Sequence, residues 1–64
     1  MNITELKVEM LRSNLNQQNI AKILDKTEKT VSTYFEKADM PLSDAKKIAD
    51  KLNLSGQRKI EIFL

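Results

Sequence analysis

The chain has 64 residues, enough for one domain but with little material for a large core. It lacks cysteine and histidine, so disulfides, thiolate metal sites and the commonest catalytic base are excluded, and 11 bases against 9 acids leave a net charge of only +2. No window approaches the roughly 18 apolar residues of a membrane span. We therefore expect a cytoplasmic protein that is not an enzyme and has no metal, cofactor, membrane partner or small-molecule substrate.

Glycine and proline are nearly absent and apolar residues recur at helical spacing, so the sequence predicts helices throughout. The first is predicted over residues 4–13 with Thr4 as its N-cap. The second is predicted over residues 17–24, where Asn16 is well placed as the N-cap. The apolar residues expected to face the core from these two segments are Ile3, Leu6, Met10, Leu11, Ile20, Ala21, Ile23 and Leu24.

The third and fourth helices are separated by a loop that contains the one proline. The third is predicted over residues 28–37 behind Thr27 as N-cap. Pro41 disfavours helix at the residue before it, so the fourth is predicted over residues 43–52 with Ser43 as its N-cap. The apolar positions of these two segments are Val31, Tyr34, Phe35, Leu42, Ala45, Ile48, Ala49 and Leu52.

The last segment begins at residues 55–56, and its apolar stripe contains Ile60, Phe63 and Leu64. Ile62 falls outside this stripe. Because exposed apolar side chains often mark an interface, Ile62 and Leu64 are predicted to form a weak homodimer contact, with burial in their own chain as the alternative. The expected architecture is all-α, a compact five-helix bundle that forms a single domain over residues 1–64.

Residues 15–36 read LNQQNIAKILDKTEKTVSTYFE, in which only three residues separate two helical segments. Helices joined so briefly must cross at a steep angle, with the small Ala21 where their axes approach and Val31 facing it. The stretch resembles the helix-turn-helix of the phage Cro/CI repressors and the related xenobiotic-response-element-type regulators. Residues 41–64 resemble the two helices that follow it in those proteins. The resemblance implies a lambda-repressor-like fold with a DNA-binding helix-turn-helix at about residues 17–37.

Two positions in the turn depart from the pattern of that family. Where the family usually has glycine with a positive φ, this chain has Asp25, which tolerates such a backbone at a cost of about 1 kcal/mol relative to glycine. The next position usually holds a buried aliphatic residue, and here it is Lys26. Its stem is expected to cover the core while its ammonium group reaches water.

The resemblance also assigns roles in DNA binding. The third helix would lie in the major groove, and the base-reading positions carried over are Glu28, Lys29, Ser32 and Thr33. Phosphate contacts would flank them at Gln17, Gln18, Thr27, Thr30, Lys37 and Ser43. Two of these residues have a simpler explanation. Lys29 fits equally a solvated lysine, and Glu28 an acid favoured by the helix dipole alone.

The resulting hypothesis is a small Cro-like repressor of transcription that binds an operator in double-stranded DNA as a weak homodimer. The short chain favours Cro over a full-length CI repressor, whereas an isolated N-terminal domain of a CI repressor would have the same appearance. The alternative is a protein-interaction module on the same fold, such as an antirepressor or a partner regulator. Asp25, Lys26, Glu28 and the low net charge favour this alternative. Binding through several phosphates would weaken steeply with salt, whereas an apolar protein contact would not.

Overall fold

Five helices and no strand make up the computed structural model, which describes residues 1–64. The helices are α1 (Ile3–Arg12), α2 (Gln17–Leu24), α3 (Glu28–Lys37), α4 (Leu42–Leu52) and α5 (Gly56–Phe63). They form a compact body that measures 29 × 22 × 19 Å along its principal axes. The predicted all-helical architecture is confirmed, and the bounds of α2 and α3 agree with the prediction.

A single core joins the five helices. α2 lies at its centre, because it packs against both α3 and α4, while α1 packs against α5. The core side chains are Leu6, Met10, Ile20, Ala21, Leu24, Val31, Phe35, Ile48, Leu52 and Ile62. Leu11, which was predicted to face the core, is instead 82% exposed at the end of α1.

The turn between α2 and α3 contains three residues and no glycine. Asp25 has φ 55° and ψ 45°, so the positive φ expected at this position is confirmed. The N–H groups of Asp25 and Lys26 close the end of α2 by donating to backbone carbonyls, at 3.2 and 2.9 Å. Thr27 then caps α3, since its Oγ1 accepts from the Thr30 N–H at 3.2 Å. These local hydrogen bonds reverse the chain and prevent one continuous helix.

The start of α1 differs from the prediction. α1 begins at Ile3 rather than Thr4, because the N-cap is Asn2. The Oδ1 atom of Asn2 accepts from the Glu5 N–H at 3.2 Å. The Asn2 N–H donates to the Ile62 carbonyl at 2.6 Å, so the same residue joins the start of α1 to α5.

The start of α4 also differs from the prediction. Pro41 occupies the N-cap position, and no side chain caps the helix. The Pro41 carbonyl accepts from the N–H groups of Asp44 and Ala45, at 3.0 Å each, which starts the helix at Leu42. The prediction of Ser43 as N-cap is therefore wrong, and this serine lies in the first turn.

The side of α5 that faces the core is not the predicted one. Ile62 is fully buried, whereas Ile60 and Leu64 are 59% and 92% exposed. Arg58 precedes Ile62 by one turn and forms ion pairs with α1, so both residues lie on the side of α5 that faces α1. The prediction of Ile62 as an exposed dimer contact is therefore wrong, while Leu64 remains exposed. Leu42 on α4, predicted to face the core, is 70% exposed.

Candidate nucleic-acid interface

The starts of α2 and α3 form an open concavity of about 510 Å³ that has no hydrophobic residue in its lining. We call it the polar groove, and it is lined by Asn16, Gln17, Gln18, Glu28, Lys29 and Ser32. Three of these residues were predicted to read bases and two to contact phosphate. The structure therefore brings half of the ten predicted DNA-contacting residues to one place.

Two backbone donors at the start of α2 are free. Asn16 and Asn19 form a reciprocal capping box in which the Oδ1 atom of each accepts the backbone N–H of the other, at 2.9 Å. The N–H groups of Gln17 and Gln18 have no acceptor within the molecule. Free N–H groups at a helix start, together with the helix dipole, suit the binding of a phosphate.

The polar side of α3 faces outward at the groove. Glu28 and Lys29 are exposed, and Ser32 and Thr33 are half-buried. The Thr33 Oγ1 donates to the Lys29 carbonyl at 3.0 Å, which uses the hydroxyl hydrogen within the helix. Thr33 does not line the polar groove. The opposite side of α3 is buried in the core, so the polar side is not packed inside the molecule.

The remaining predicted phosphate contacts lie outside the polar groove. The hydroxyl groups of Thr27 and Thr30 lie 3.0 Å apart and hydrogen bond to one another. Lys37 in the last turn of α3 and Ser43 in the first turn of α4 are both exposed. The candidate interface thus has two parts. One is the polar groove, and the other consists of the exposed residues Lys37 and Ser43, at and after the end of α3.

The polar groove has no net charge, because it contains one lysine and one glutamate. A smaller concavity of about 360 Å³ shares Gln18 and Glu28 with it and adds Lys22. Lys22 is exposed and was missed as a candidate contact. Its position four residues after Gln18, and therefore on the same side of α2, is the signal that identifies it.

The unusual lysine of the turn has a buried acidic partner. The Nζ atom of Lys26 lies 3.0 Å from Oδ2 of Asp44 and donates to Oη of Tyr34 at 3.2 Å. The Tyr34 hydroxyl donates to the same Asp44 oxygen at 2.8 Å. Asp44 is only 2% exposed. The Lys26 side chain remains 40% exposed, but its charge is paired rather than simply solvated as predicted. We call these three residues the carboxylate cluster.

Hydrogen bonding keeps the carboxylate cluster ionised. Burial raises the pKa of Asp44, but the hydrogen bonds from Lys26 and Tyr34, aided by the charges of Lys26 and Lys47, outweigh burial and hold the pKa below its usual value. The hydrogen bonds to Asp44 and Tyr34 raise the pKa of Lys26. Lys26 and Asp44 are therefore both charged at neutral pH and form an ion pair within the cluster.

Asp44 was missed as a core position, although the sequence contains a signal for it. Asp44, Ile48 and Leu52 follow one another at intervals of four, which puts them on one side of α4. A lysine in place of a buried aliphatic residue also predicts an acid nearby. Taken together, the two features make Asp44 a candidate partner for Lys26, but the pairing itself is seen only in the fold.

A second ionic cluster joins α1 to α5. The Arg58 guanidinium contacts Glu5 at 2.8 Å, Glu9 at 2.9 Å and Glu61 at 3.1 Å. The hydrogen bonds that Arg58 donates to Glu5, Glu9 and Glu61 raise the pKa of Arg58 above its ordinary value. The sequence places Glu5 and Glu9 on one side of α1, but their partner was not predicted.

These observations define the class as a small all-helical domain with an outward-facing polar helix surface beside a helix start. No three acidic side chains are grouped so that they could hold a metal ion. None of the helices combines the length and the apolar character that crossing a bilayer requires. Comparison with protein-family models, curated proteins and solved structures finds no match to this chain. A function is therefore inferred from the site itself.

Proposed function

We propose that the protein is a cytoplasmic, sequence-specific DNA-binding repressor of Cro-like, bacteriophage type, with α2 and α3 as its helix-turn-helix. The polar groove is the observation that carries this proposal. The free N–H groups of Gln17 and Gln18 lie beside Glu28, Lys29 and Ser32 of the next helix. The N–H donors at the start of α2 suit phosphate, and they lie beside side chains of α3 that are long or small enough to reach base edges. A protein that reads the major groove makes both kinds of contact.

Each side chain on the outer side of α3 has a base that suits its chemistry. The Lys29 ammonium group, which has no partner in the molecule, donates to guanine O6 or N7. Glu28 accepts from cytosine N4, and Ser32 pairs with either a donor or an acceptor. The Thr33 hydroxyl is used within the helix, so its methyl group remains for contact with a thymine methyl.

Phosphate contacts at both ends of α3 would hold the protein in register. The N–H groups of Gln17 and Gln18 bind one strand, and Lys22 adds a cation beside them. Lys37 and Ser43 bind the backbone beyond the other end of α3. Because these contacts read no sequence, they supply affinity while α3 supplies specificity.

Salt dependence tests the proposal. A duplex is selected from a random pool by gel shift, and its Kd is measured by fluorescence anisotropy between about 50 and 200 mM salt. The two lysines assigned to phosphate, Lys22 and Lys37, supply four cations in a homodimer. Neutralising four phosphates gives a slope of about −3.6 in log K against log salt, or about a 150-fold loss of affinity over that range. A chain that selects no duplex, or one whose affinity hardly changes with salt, would contradict DNA binding.

The alternative function is a protein-interaction module such as an antirepressor or a partner regulator. It is favoured by the absence of net charge in the polar groove, which gives the site no attraction of its own for a polyanion. A weak salt dependence in the same titration would support this alternative.

The homodimer in this proposal keeps Leu64 from the predicted contact but not the buried Ile62. An apolar groove of about 480 Å³ lies between α4 and α5. Leu42, Ile60 and Leu64, three of the four large exposed apolar residues of the chain, line it. Its charged lining residues are two acids and two bases, Asp39, Asp50, Lys46 and Lys59. A two-fold axis can place the acids of one copy opposite the bases of another. This balanced charge favours a second copy of the chain as the partner that fills the apolar groove.

The double variant Ile60→Lys and Leu64→Lys should stay monomeric across the concentration range in which the wild type associates. Buried lysines in a two-fold contact would lose hydration and repel one another, whereas in the monomer both positions are already exposed. Sedimentation equilibrium measures the mass. Leu11→Lys is the matched control, because Leu11 is exposed but does not line the apolar groove. Equal masses for the wild type and the double variant would refute this contact.

A further inference from the structure

We propose that Asp44 is a positioning residue for α3, and that through Lys26 and Tyr34 it fixes the orientation in which α3 meets DNA. The inference rests on the proposed DNA-binding function. It assigns a role in recognition to a side chain that is itself out of reach of DNA, since Asp44 is 2% exposed.

The packing contacts of α3 are mainly with one other helix. α3 packs chiefly against α2, and α2 in turn packs against α4. The carboxylate cluster adds a direct connection, because one oxygen of Asp44 accepts from Lys26, before α3, and from Tyr34, in the second half of α3. The turn before α3 and the second half of α3 are thus both attached to one point of α4, which resists displacement of α3 relative to α4.

The anchor is itself rigid. The Asp44 N–H donates to the Pro41 carbonyl at 3.0 Å, and its carboxylate lies in the first turn of α4. Opening the cluster would leave a buried carboxylate without a partner, which is strongly unfavourable. Lys26 is therefore paired with Asp44, and its ammonium group is not available to bind phosphate.

The held turn borders the predicted reading surface. Lys26 lines the smaller concavity together with Gln18 and Glu28, and Glu28 also lines the polar groove. A shift of Lys26 would therefore displace the first turn of α3, where Glu28 and Lys29 lie. Base contacts tolerate such displacement poorly, whereas contacts to the uniform phosphate backbone tolerate it well.

The test compares Asp44→Asn and Tyr34→Phe with the control Glu36→Gln, all in the full chain. Glu36 is exposed, forms no ion pair and lines none of the three concavities, and its variant makes the same change of charge as Asp44→Asn. Fluorescence anisotropy gives the Kd for the selected duplex and for an unrelated duplex, at a temperature where circular dichroism shows each variant folded. The readout is the Kd for the unrelated duplex divided by the Kd for the selected duplex, a ratio that a loss of stability alone would not change.

We expect the ratio to fall roughly tenfold in Asp44→Asn relative to Glu36→Gln, and by a smaller factor in Tyr34→Phe. If Asp44→Asn does not fold, Tyr34→Phe carries the test, since it removes one hydroxyl and no charge. An unchanged ratio overturns the role of Asp44, as does tighter binding with a steeper salt dependence, which would mean that freed Lys26 binds phosphate. A wild-type chain that selects no duplex refutes the proposed function and this role together, whereas selection by the wild type with unchanged variants refutes only the role.

Discussion

Replacement of Ile62 by alanine should lower the free energy of unfolding by about 2–5 kcal/mol. Ile62 is fully buried in the core, so the substitution removes apolar contacts and leaves a cavity. A chain of 64 residues is typically stable by only about 3–10 kcal/mol. We therefore expect a large loss of the folded population, visible in urea denaturation followed by circular dichroism.

Ile60→Ala is the matched control for this prediction. Ile60 is the same residue type on the same helix, but it is 59% exposed, so its substitution should change stability by no more than about 0.5 kcal/mol. Similar losses for the two variants would contradict the orientation of α5. If Ile62→Ala changed only the mass of the oligomer, the earlier interpretation of Ile62 as a dimer contact would be restored.

Replacement of Lys29 by alanine should weaken binding to the selected duplex by about 1–3 kcal/mol, or about 5- to 150-fold. This is the range expected when a side chain that donates to a guanine is removed. The far-ultraviolet circular dichroism spectrum should not change, because Lys29 is exposed and its ammonium group forms no ion pair in the molecule. The measurement is again fluorescence anisotropy at a fixed salt concentration.

Lys51→Ala controls for the loss of one positive charge. Lys51 is exposed on α4 and lines none of the three concavities. If Lys29 contacts a base, Lys29→Ala should weaken binding to the selected duplex far more than binding to an unrelated one. Lys51→Ala should change the affinity for either duplex only slightly. Equal losses for the two variants would assign Lys29 to the solvated lysines and remove it from the reading surface.

The bounds of α2 and α3 followed from the sequence because local interactions decide them. Asn16 and Thr27 cap the two helices through hydrogen bonds that span three residues. Asp25 takes up the positive φ that the short turn needs, again within a few residues. The turn of three residues also brings the start of α3 close to the end of α2, but the meeting of α3 with the start of α2 at the polar groove depends on the angle at which the two helices cross.

The orientation of α5 could not be predicted in the same way. α5 has eight residues, and Ile60, Ile62, Phe63 and Leu64 give it apolar side chains in several directions. The spacing alone favoured the stripe through Ile60, but α5 packs on α1 with the side that carries Ile62, where Arg58 also pairs with acids distant in the chain. Leu42 was misplaced for a related reason, since the side of α4 that faces inward depends on where α2 lies.

By itself, the sequence determined that this protein is all-helical, where α2 and α3 begin and end, and how the turn between them is made. Spacing, caps and backbone preferences act within a few residues, so these features can be predicted without the fold. Only the tertiary structure decided which side of α5 is buried and that Asp44 pairs with Lys26 across 18 residues of chain. Both outcomes depend on contacts between distant segments. Several apolar side chains compete for a small core, and a buried polar side chain needs a partner that no local pattern specifies.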